Sequence, residues 1–233
     1  MILYPKILRA EFISRPNRFV AQCRLNGETV ICHVKNTGRC KELLLPGAVV
    51  YLAESDQPAR KTRYDLVCVE SRGYLINMDS QAPNPVFAEW AQAGGFLGGI
   101  TELKREVVYG ASRFDFSFVR NGRPGFAEIK GVTLFDDDDR AFFPDAPTER
   151  GVKHVHELIA AHKAGYEAVL CFVVQREHVL SVSPNDLTHP AFGVALEEAA
   201  AAGVQLMAAV CRVTPQEMTI THTIPVVLDR RRM

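Results

Sequence analysis

The sequence predicts an α/β (α+β) protein in two parts: a small N-terminal β-barrel over residues 1–82, then a domain over residues 83–233 whose mixed sheet is flanked by helices. Three observations carry this. The first 80 residues read as short strands broken by turns, with no helical period. At "QAPNPVFAEWAQAGG" (81–95) two prolines, a short helical run and a Gly-Gly pair mark a change of character. Beyond it, strand and helix patterns alternate, and "AVLCFVVQ" is a continuous apolar run, as a strand covered on both faces requires.

Taken in order, "RFVAQCRL" (18–25) and "TVICHVK" (29–35) flank Asn26-Gly27, a hairpin signal. "AVVYLAES", "RYDLVCVES" and "GYLINMD" follow, with turns at Pro46-Gly47 and Arg72-Gly73. About five strands suit an OB-like barrel, a type that often binds nucleic acid, and an SH3-like barrel fits almost as well. After the helix near 81–95, "LKREVVYG" and "SRFDFSFV" read as strands, "RNGRPG" (120–125) as a turn and "FAEIKGVTLF" as another strand. The stretch 148–165 is a helix with Val152, Val155, Leu158 and Ile159 on its apolar side and Gly165 at its end. A helix near 190–202 leads to the strand "VQLMAAVCRV". The acidic run "DDDD" (136–139) is expected on a solvated loop.

Composition narrows the function classes. With 47% hydrophobic and 23% charged residues the chain is an ordinary globular protein, and no apolar stretch is long enough to span a bilayer. The start, "MILYPKILRAEF", lacks the features of a signal peptide, so a cytoplasmic location without membrane partners is expected. Six cysteines form no CxxC and no zinc-finger spacing, which leaves buried or free thiols. The net charge is zero, but residues 1–82 hold 12 Lys+Arg against 8 Asp+Glu and the remainder 15 against 19. A basic front half suits a module that grips phosphates and an acidic back half one that concentrates carboxylates, with chance surface variation as the alternative.

The chemistry concentrates in "FAEIKGV" (126–132). Residues i and i+2 of a strand point the same way, so Glu128 and Lys130 share a face. Asp115 precedes Glu128 by thirteen residues, inside "RFDFSF", where Phe114, Phe116 and Phe118 are expected on one face and Arg113, Asp115 and Ser117 on the other. A Gly/Pro-rich turn joins the strands, so antiparallel pairing brings Asp115 towards Glu128. Two close carboxylates repel, and a divalent cation relieves the repulsion. Hard oxygen ligands with open water positions suit Mg²⁺ or Mn²⁺, with the Ile129 carbonyl as a further ligand. Lys130 would orient a water or stabilise phosphate charge. The alternative is a polar sheet face with a cross-strand ion pair of about 0.2–1 kcal/mol.

The pattern D-x(12)-[DE]-x-K resembles the PD-(D/E)XK nuclease superfamily, whose core has the same order of helix, three strands, helix and strand. Longer stretches are similar to the sugar fermentation stimulation protein (SfsA) family: "NTG" (36–38), Pro83, Asn84 and Glu89, "LKREVVYGASRFDF", "EIKGVTL" and "FFPDAPTERGVKHVHEL" (142–158). The resemblance implies an N-terminal OB-like domain, a C-terminal PD-(D/E)XK nuclease-like domain, DNA binding and an association with regulation of sugar metabolism. Carried over by position, Asp115, Glu128 and Lys130 match the nuclease core, although Phe114 stands where the full motif has Pro. Glu89 falls on the first helix, where many such nucleases put another acid; an exposed helix charge is the other reading.

Thr148, Arg150 and His154 begin the helix after these strands. Arg150 and His154 suit phosphate contacts, and the amides near Thr148 suit an anion. Alternatively Glu157 pairs with Arg150 or Lys153, and His154 covers the surface. Lys35, Asn36, Thr37, Arg39 and Lys41, with Gly38, form a basic loop fit for a nucleic acid backbone, or else a capped turn. The end, "DRRRM", is a phosphate-attracting or merely solubilising tail. Together these residues point to a metal-dependent phosphodiesterase acting on DNA or RNA. The runner-up is a non-enzymatic DNA-binding regulator that keeps the fold; a carbohydrate enzyme fits poorly beside Lys130 and a single Trp. A homodimer, common among nucleases that cut two strands, is left open.

Overall fold

The structure, a computed structural model, describes residues 1–36, 38–55, 60–110 and 112–228. The N-terminal strands are β1 (Ile7–Asn17), β2 (Val20–Leu25), β3 (Glu28–Val34), β4 (Val49–Glu54), β5 (Tyr64–Ser71) and β6 (Tyr74–Asn77). They are bonded in the order β3-β2-β1-β4-β5-β6, and a parallel contact of β3 with β5 closes β1 to β5 into a barrel. That circuit is the OB arrangement, which decides against the SH3-like alternative. Phe12, Leu52, Leu66, Ile76 and the small Cys23 and Cys32 fill its interior.

The sequence reading counts five strands here and misses β1. Its residues mix Arg9, Glu11 and Arg15 with Pro16, and two register shifts against β2 break the period-two pattern. Pro16 falls inside the second shift, where the ladder tolerates a missing donor. The expected hairpin at Asn26-Gly27 has both residues at positive φ, as a type I′ turn requires.

The second part comprises α1 (Pro83–Gln92), β7 (Ile100–Tyr109), β8 (Ser112–Arg120), β9 (Arg123–Val132), β10 (Leu134–Phe135), β11 (Arg140–Phe143), α2 (Glu149–Lys163), β12 (Glu167–Val174), β13 (Ser181–Pro184), α3 (Pro190–Ala202), β14 (Gln205–Val213) and β15 (Met218–Ile224). A six-stranded sheet runs β15-β14-β12-β9-β8-β7, antiparallel from β7 to β9, parallel through β9, β12 and β14, and antiparallel again at β15. Strands β10, β11 and β13 form a small side sheet. Helices α2 and α3 cover one face of the large sheet, where Val155, Leu158, Phe192 and Leu196 meet Leu170 and Phe172. Helix α1 covers the other, through Phe87 against Phe116 and Phe96. Among the described residues no helix is long and apolar enough to cross a membrane.

The barrel shares that second core: Val67 and Cys68 of β5 pack in one cluster with Phe87, Phe116 and Met218. The junction is also hydrogen-bonded. Buried Gln175 donates from Nε2 to the carbonyls of Asn77 (3.0 Å) and Asp79 (3.1 Å) and to Asn77 Oδ1 (3.0 Å), and the Asn77 amide donates to the Gln175 carbonyl at 3.0 Å. Arg176 lies between the rings of Tyr74 and Phe135, 4.3 and 4.4 Å from their centroids, and pairs with Asp139. The acidic run is therefore not simply solvated. Asp136 and Asp138 hold Arg140, Asp137 holds Arg72 and Asp139 holds Arg176.

Replacing Gln175 with Ala would leave the buried Asn77 carbonyl without a donor, while the Asp79 carbonyl keeps the Ala82 N–H. The expected loss is about 3 kcal/mol in denaturant unfolding, with both parts melting in one transition. A loss below about 1 kcal/mol, or two separated transitions, would show that this junction does not couple them.

Candidate active site

Alternation along β9 sorts its residues between the two cores. Phe126 and Val132 join the α2 side, Ala127 and Ile129 the α1 side. Glu128 and Lys130, in phase with Phe126, therefore project towards α2, as the i, i+2 spacing predicts. The hairpin that delivers Asp115 turns at Asn121-Gly122, both at positive φ.

Register between β8 and β9 runs from Arg120↔Arg123 to Phe116↔Ala127 and stops there. Continued, the same register would set Asp115 opposite Glu128 and Phe114 opposite Ile129. Instead Asp115 Oδ2 accepts the Ile129 N–H at 2.8 Å, so a carboxylate takes the place of a ladder acceptor. A strand residue turns its N–H and C=O to the same edge, which puts the Ile129 carbonyl beside Asp115 where strand pairing has ended. The same break corrects one expectation. Phe116 and Phe118 face α1, but Phe114 stacks on Phe126 in the opposite core.

Asp115 Oδ1 accepts from Asn84 Nδ2 of α1 at 2.9 Å. Glu128 is 2% exposed, and its Oε1 receives Lys130 Nζ at 2.7 Å and His154 Nδ1. Arg150 Nε donates to His154 Nε2 at 3.2 Å. A guanidinium only donates, so that ring nitrogen is the acceptor and the Nδ1 proton points to Glu128. Glu128 Oε2 is enclosed yet has no hydrogen-bond partner. A buried carboxylate oxygen left so costs about 1–3 kcal/mol.

Electrostatics separate the two acids. Burial and the Glu128 charge push the Asp115 carboxyl above its ordinary range, against the bonds from Ile129 and Asn84. Burial pushes Glu128 up as well, but the His154 hydrogen bond and the Lys130 charge outweigh it and leave Glu128 below its usual value. Among the described residues no three His, Cys, Asp or Glu side chains converge as a ready metal cluster. The available set is the orphaned Glu128 oxygen, the remaining lone pairs of Asp115 and the Ile129 carbonyl. All are oxygens, the donor type that a hard divalent cation takes.

Other expected site residues are placed elsewhere. Glu89 holds the Met1 ammonium at 2.9 Å and is half exposed. It lies about 140° around α1 from Asn84, and Asn84 is the residue that reaches Asp115. Thr148 caps α2, accepting from Gly151 N at 3.0 Å, and its own amide donates to His189 at 3.3 Å, so neither is free for an anion. Glu157 pairs with Lys153 at 3.5 Å, as one reading expected. Lys35 bridges Asp65 (3.1 Å) and Asp79 (3.2 Å). Burial lowers its pKa, but the Asp79 and Asp65 charges outweigh that and hold the ammonium above its ordinary value. Asn36 closes a turn onto the Gly38 amide. Thr37 and the tail 229–233 lie outside the described residues.

Arg39 and Lys41 do project outward without an ion-pair partner among the described residues, on a cavity of about 440 Å³ that Arg15 and Arg18 also line. Sequence reasoning gave no role to Asn84, whose signal was the "PN" opening of α1. It also missed Arg15, which ties the loop together through the carbonyls of Arg18, Asn36, Gly38 and Arg39.

A raised Asp115 pKa favours its protonated form in the fold. Its contribution is full at low pH and is lost as pH rises through the folded value. Asp115→Asn keeps an acceptor for Ile129 N–H and removes the repulsion, so in chelator at pH 7 its Tm is expected above that of the parent, the gap closing as the pH is lowered; a lower Tm at pH 7 would contradict the electrostatic account. Loss of the cap in Thr148→Ala should cost about 1 kcal/mol in the same melts.

Comparison with known proteins agrees with this fold. Residues 81–217 match the Sugar fermentation stimulation protein RE domain, and residues 13–78 the SfsA N-terminal OB domain. The Sugar fermentation stimulation protein homolog of Desulfitobacterium hafniense (strain Y51) is 50% identical over 211 residues, 91% of this chain and 92% of that one. The Clostridium beijerinckii homolog is 45% identical over 225 residues, 97% and 99% of the two chains. The solved structure of Pyrococcus furiosus SfsA in complex with Ca2+ superposes with a TM-score of 0.88 at 27% identity, covering 97% of this chain and 98% of that one. The chain belongs to the sugar fermentation stimulation protein (SfsA) family.

Proposed function

We infer that the protein is a divalent-metal-dependent phosphodiesterase acting on nucleic acid. The observation that carries this is the meeting of Asp115, the unpartnered Glu128 Oε2 and the Ile129 carbonyl beside Lys130. The Ca²⁺ complex of the Pyrococcus relative supports binding of a hard divalent cation, and an all-oxygen donor set suits Mg²⁺ or Mn²⁺. When bound, the cation supplies Lewis acidity towards a phosphate oxygen and an attacking water.

The chain's own residues do the rest. Asp115 is held from two sides, by Ile129 N–H and Asn84, so its orientation is fixed before substrate arrives. Lys130, held at 2.7 Å by Glu128, has further N–H groups to donate to a water or a non-bridging phosphate oxygen. His154, fixed by Arg150, steadies Glu128. Arg150 is exposed and keeps N–H groups beyond its bond to His154 with which to hold a phosphate. Water adds to phosphorus, the bond to the leaving sugar oxygen breaks, and the proton reaches that oxygen through solvent. A nucleic acid substrate suits a cytoplasmic location.

One observation favours a second reading, a non-cleaving nucleic acid binder that acts as a regulator of sugar-metabolism genes. Glu128 Oε1 is already occupied by both Lys130 and His154, which closes that oxygen to further ligands. Labelled DNA and RNA incubated with Mg²⁺ or Mn²⁺ separate the two. Parent protein is expected to cleave, and Asp115→Asn and Lys130→Ala each to lose about a hundredfold or more in rate with unchanged circular dichroism. Equal product from parent and both variants, or binding that survives chelator with no cleavage of any polymer, would leave only the binder.

A further inference from the structure

Beyond the ends of β9 and β12 lies a second cavity, of about 330 Å³, between the barrel and the start of α2. Gly131, adjacent to Lys130, is on its wall, and so is Thr133. Carboxyl ends of parallel strands are where open α/β sheets hold ligands.

Two polar side chains on buried residues border this space. Gln175 is 1% exposed, and its Nε2 is committed to three acceptors, which fixes the amide and leaves Oε1 turned towards Gly131 and the cavity. Thr133 is 6% exposed, and its hydroxyl has no hydrogen bond among the described residues. An amide oxygen and a hydroxyl on one cavity wall offer a ligand both an acceptor and a donor. Phe143 and Pro144 supply apolar walls. Arg18, Gly38, Ala146 and Pro147 also line the larger cavity carrying Arg39 and Lys41, so the two spaces form one groove. Asp145 is the acid on this wall; burial pushes its carboxyl up, and Arg15 lies near enough to offset its charge.

We propose that this cavity receives one unpaired nucleobase of a single strand, whose neighbouring phosphates lie along Arg18, Arg39 and Lys41. The inference rests on the nucleic-acid reading above and adds the strand class. Gln175 Oε1 accepts an amino or imino N–H of the base, and Thr133 donates to the adjoining ring nitrogen or carbonyl. In a duplex that edge is occupied by the complementary base, so the pocket selects against double strands. Phe143 gives the base a surface to pack on, and the three cations need no sequence to hold phosphates. Thr133 is three residues past Lys130, about 10 Å along the strand, a span that a base and its attached phosphate bridge.

Fluorescence anisotropy in chelator, where no strand is cut, tests this independently of catalysis. The probes are labelled single-stranded DNA, single-stranded RNA, their duplexes, and single strands with one abasic site walked along the oligomer. Parent protein is expected to bind at least one single strand about tenfold tighter than its duplex, and one abasic position should lose about fivefold. Thr133→Val should lose about fivefold on the intact strand and be indifferent to that abasic site, while Thr133→Ser behaves as the parent. Arg18→Ala should weaken single strands of any sequence and shallow the salt dependence by about one ion. Equal affinity for single strand and duplex, or no sensitive position in the abasic walk with the parent protein, overturns the proposal even if Thr133→Val fails to fold. Cleavage plays no part in these readouts, so an absence of nuclease activity with a clear strand preference would remove the catalytic reading and keep this one.

Discussion

The candidate site depends on a single substitution of partners. At Ile129 the backbone N–H leaves the β-ladder and is taken by the Asp115 carboxylate. The β8–β9 register ends one step earlier, at Phe116↔Ala127, and Phe114 swings into the other core. An uninterrupted ladder would bury the Ile129 carbonyl in strand pairing. Where the strands part, that carbonyl is left out of the β8 ladder beside Asp115, on a sheet covered by helices on both faces. The pair would repel if both acids were equally ionised, and the fold resolves this unequally. Lys130 and His154 hold Glu128 charged, whereas burial and the Glu128 charge act against ionisation of Asp115.

The barrel is not an independent appendage in this arrangement. Its β5 residues Val67 and Cys68 complete the core on which α1 and Phe116 rest, and Gln175 binds the linker carbonyls of Asn77 and Asp79. The residue that fastens the two parts together also lines the groove between them, its amide oxygen packed against Gly131. Arg15 and Lys35 are spent on loop carbonyls and buried aspartates, leaving Arg18, Arg39 and Lys41 as the cations facing outward. A basic loop thus divides by partner into structural and available charges, and only contacts reveal the division.

Much of this was legible in the residues. Alternation placed Glu128 and Lys130 on one face, a Gly-rich turn brought Asp115 back towards them, and the apolar run of β12 marked a central strand. The parts that were not legible share a cause: they depend on long-range pairing. Strand β1 was hidden because its register shifts erase the period-two signal, and Phe114 because the break at Asp115 is invisible to alternation. Glu89 reads from its helix position as an acid of the site, but the N-terminal ammonium arriving at α1 claims it. Thr148 carries a cap signal, a Thr before a helix, that outweighs an anion-binding reading once Gly151 is seen as its partner. Asn84 and Gln175 gave no local sign of their roles.

The central claim is that the oxygens of Asp115, Glu128 and Ile129 form one cation site. Crystals of the full chain soaked in Mn²⁺ and measured at the manganese absorption edge test it directly. The account predicts an anomalous peak within about 2.0–2.5 Å of an Asp115 oxygen, Glu128 Oε2 and the Ile129 carbonyl, completed by water. Anomalous density elsewhere with none at this junction, at saturating Mn²⁺, would contradict it.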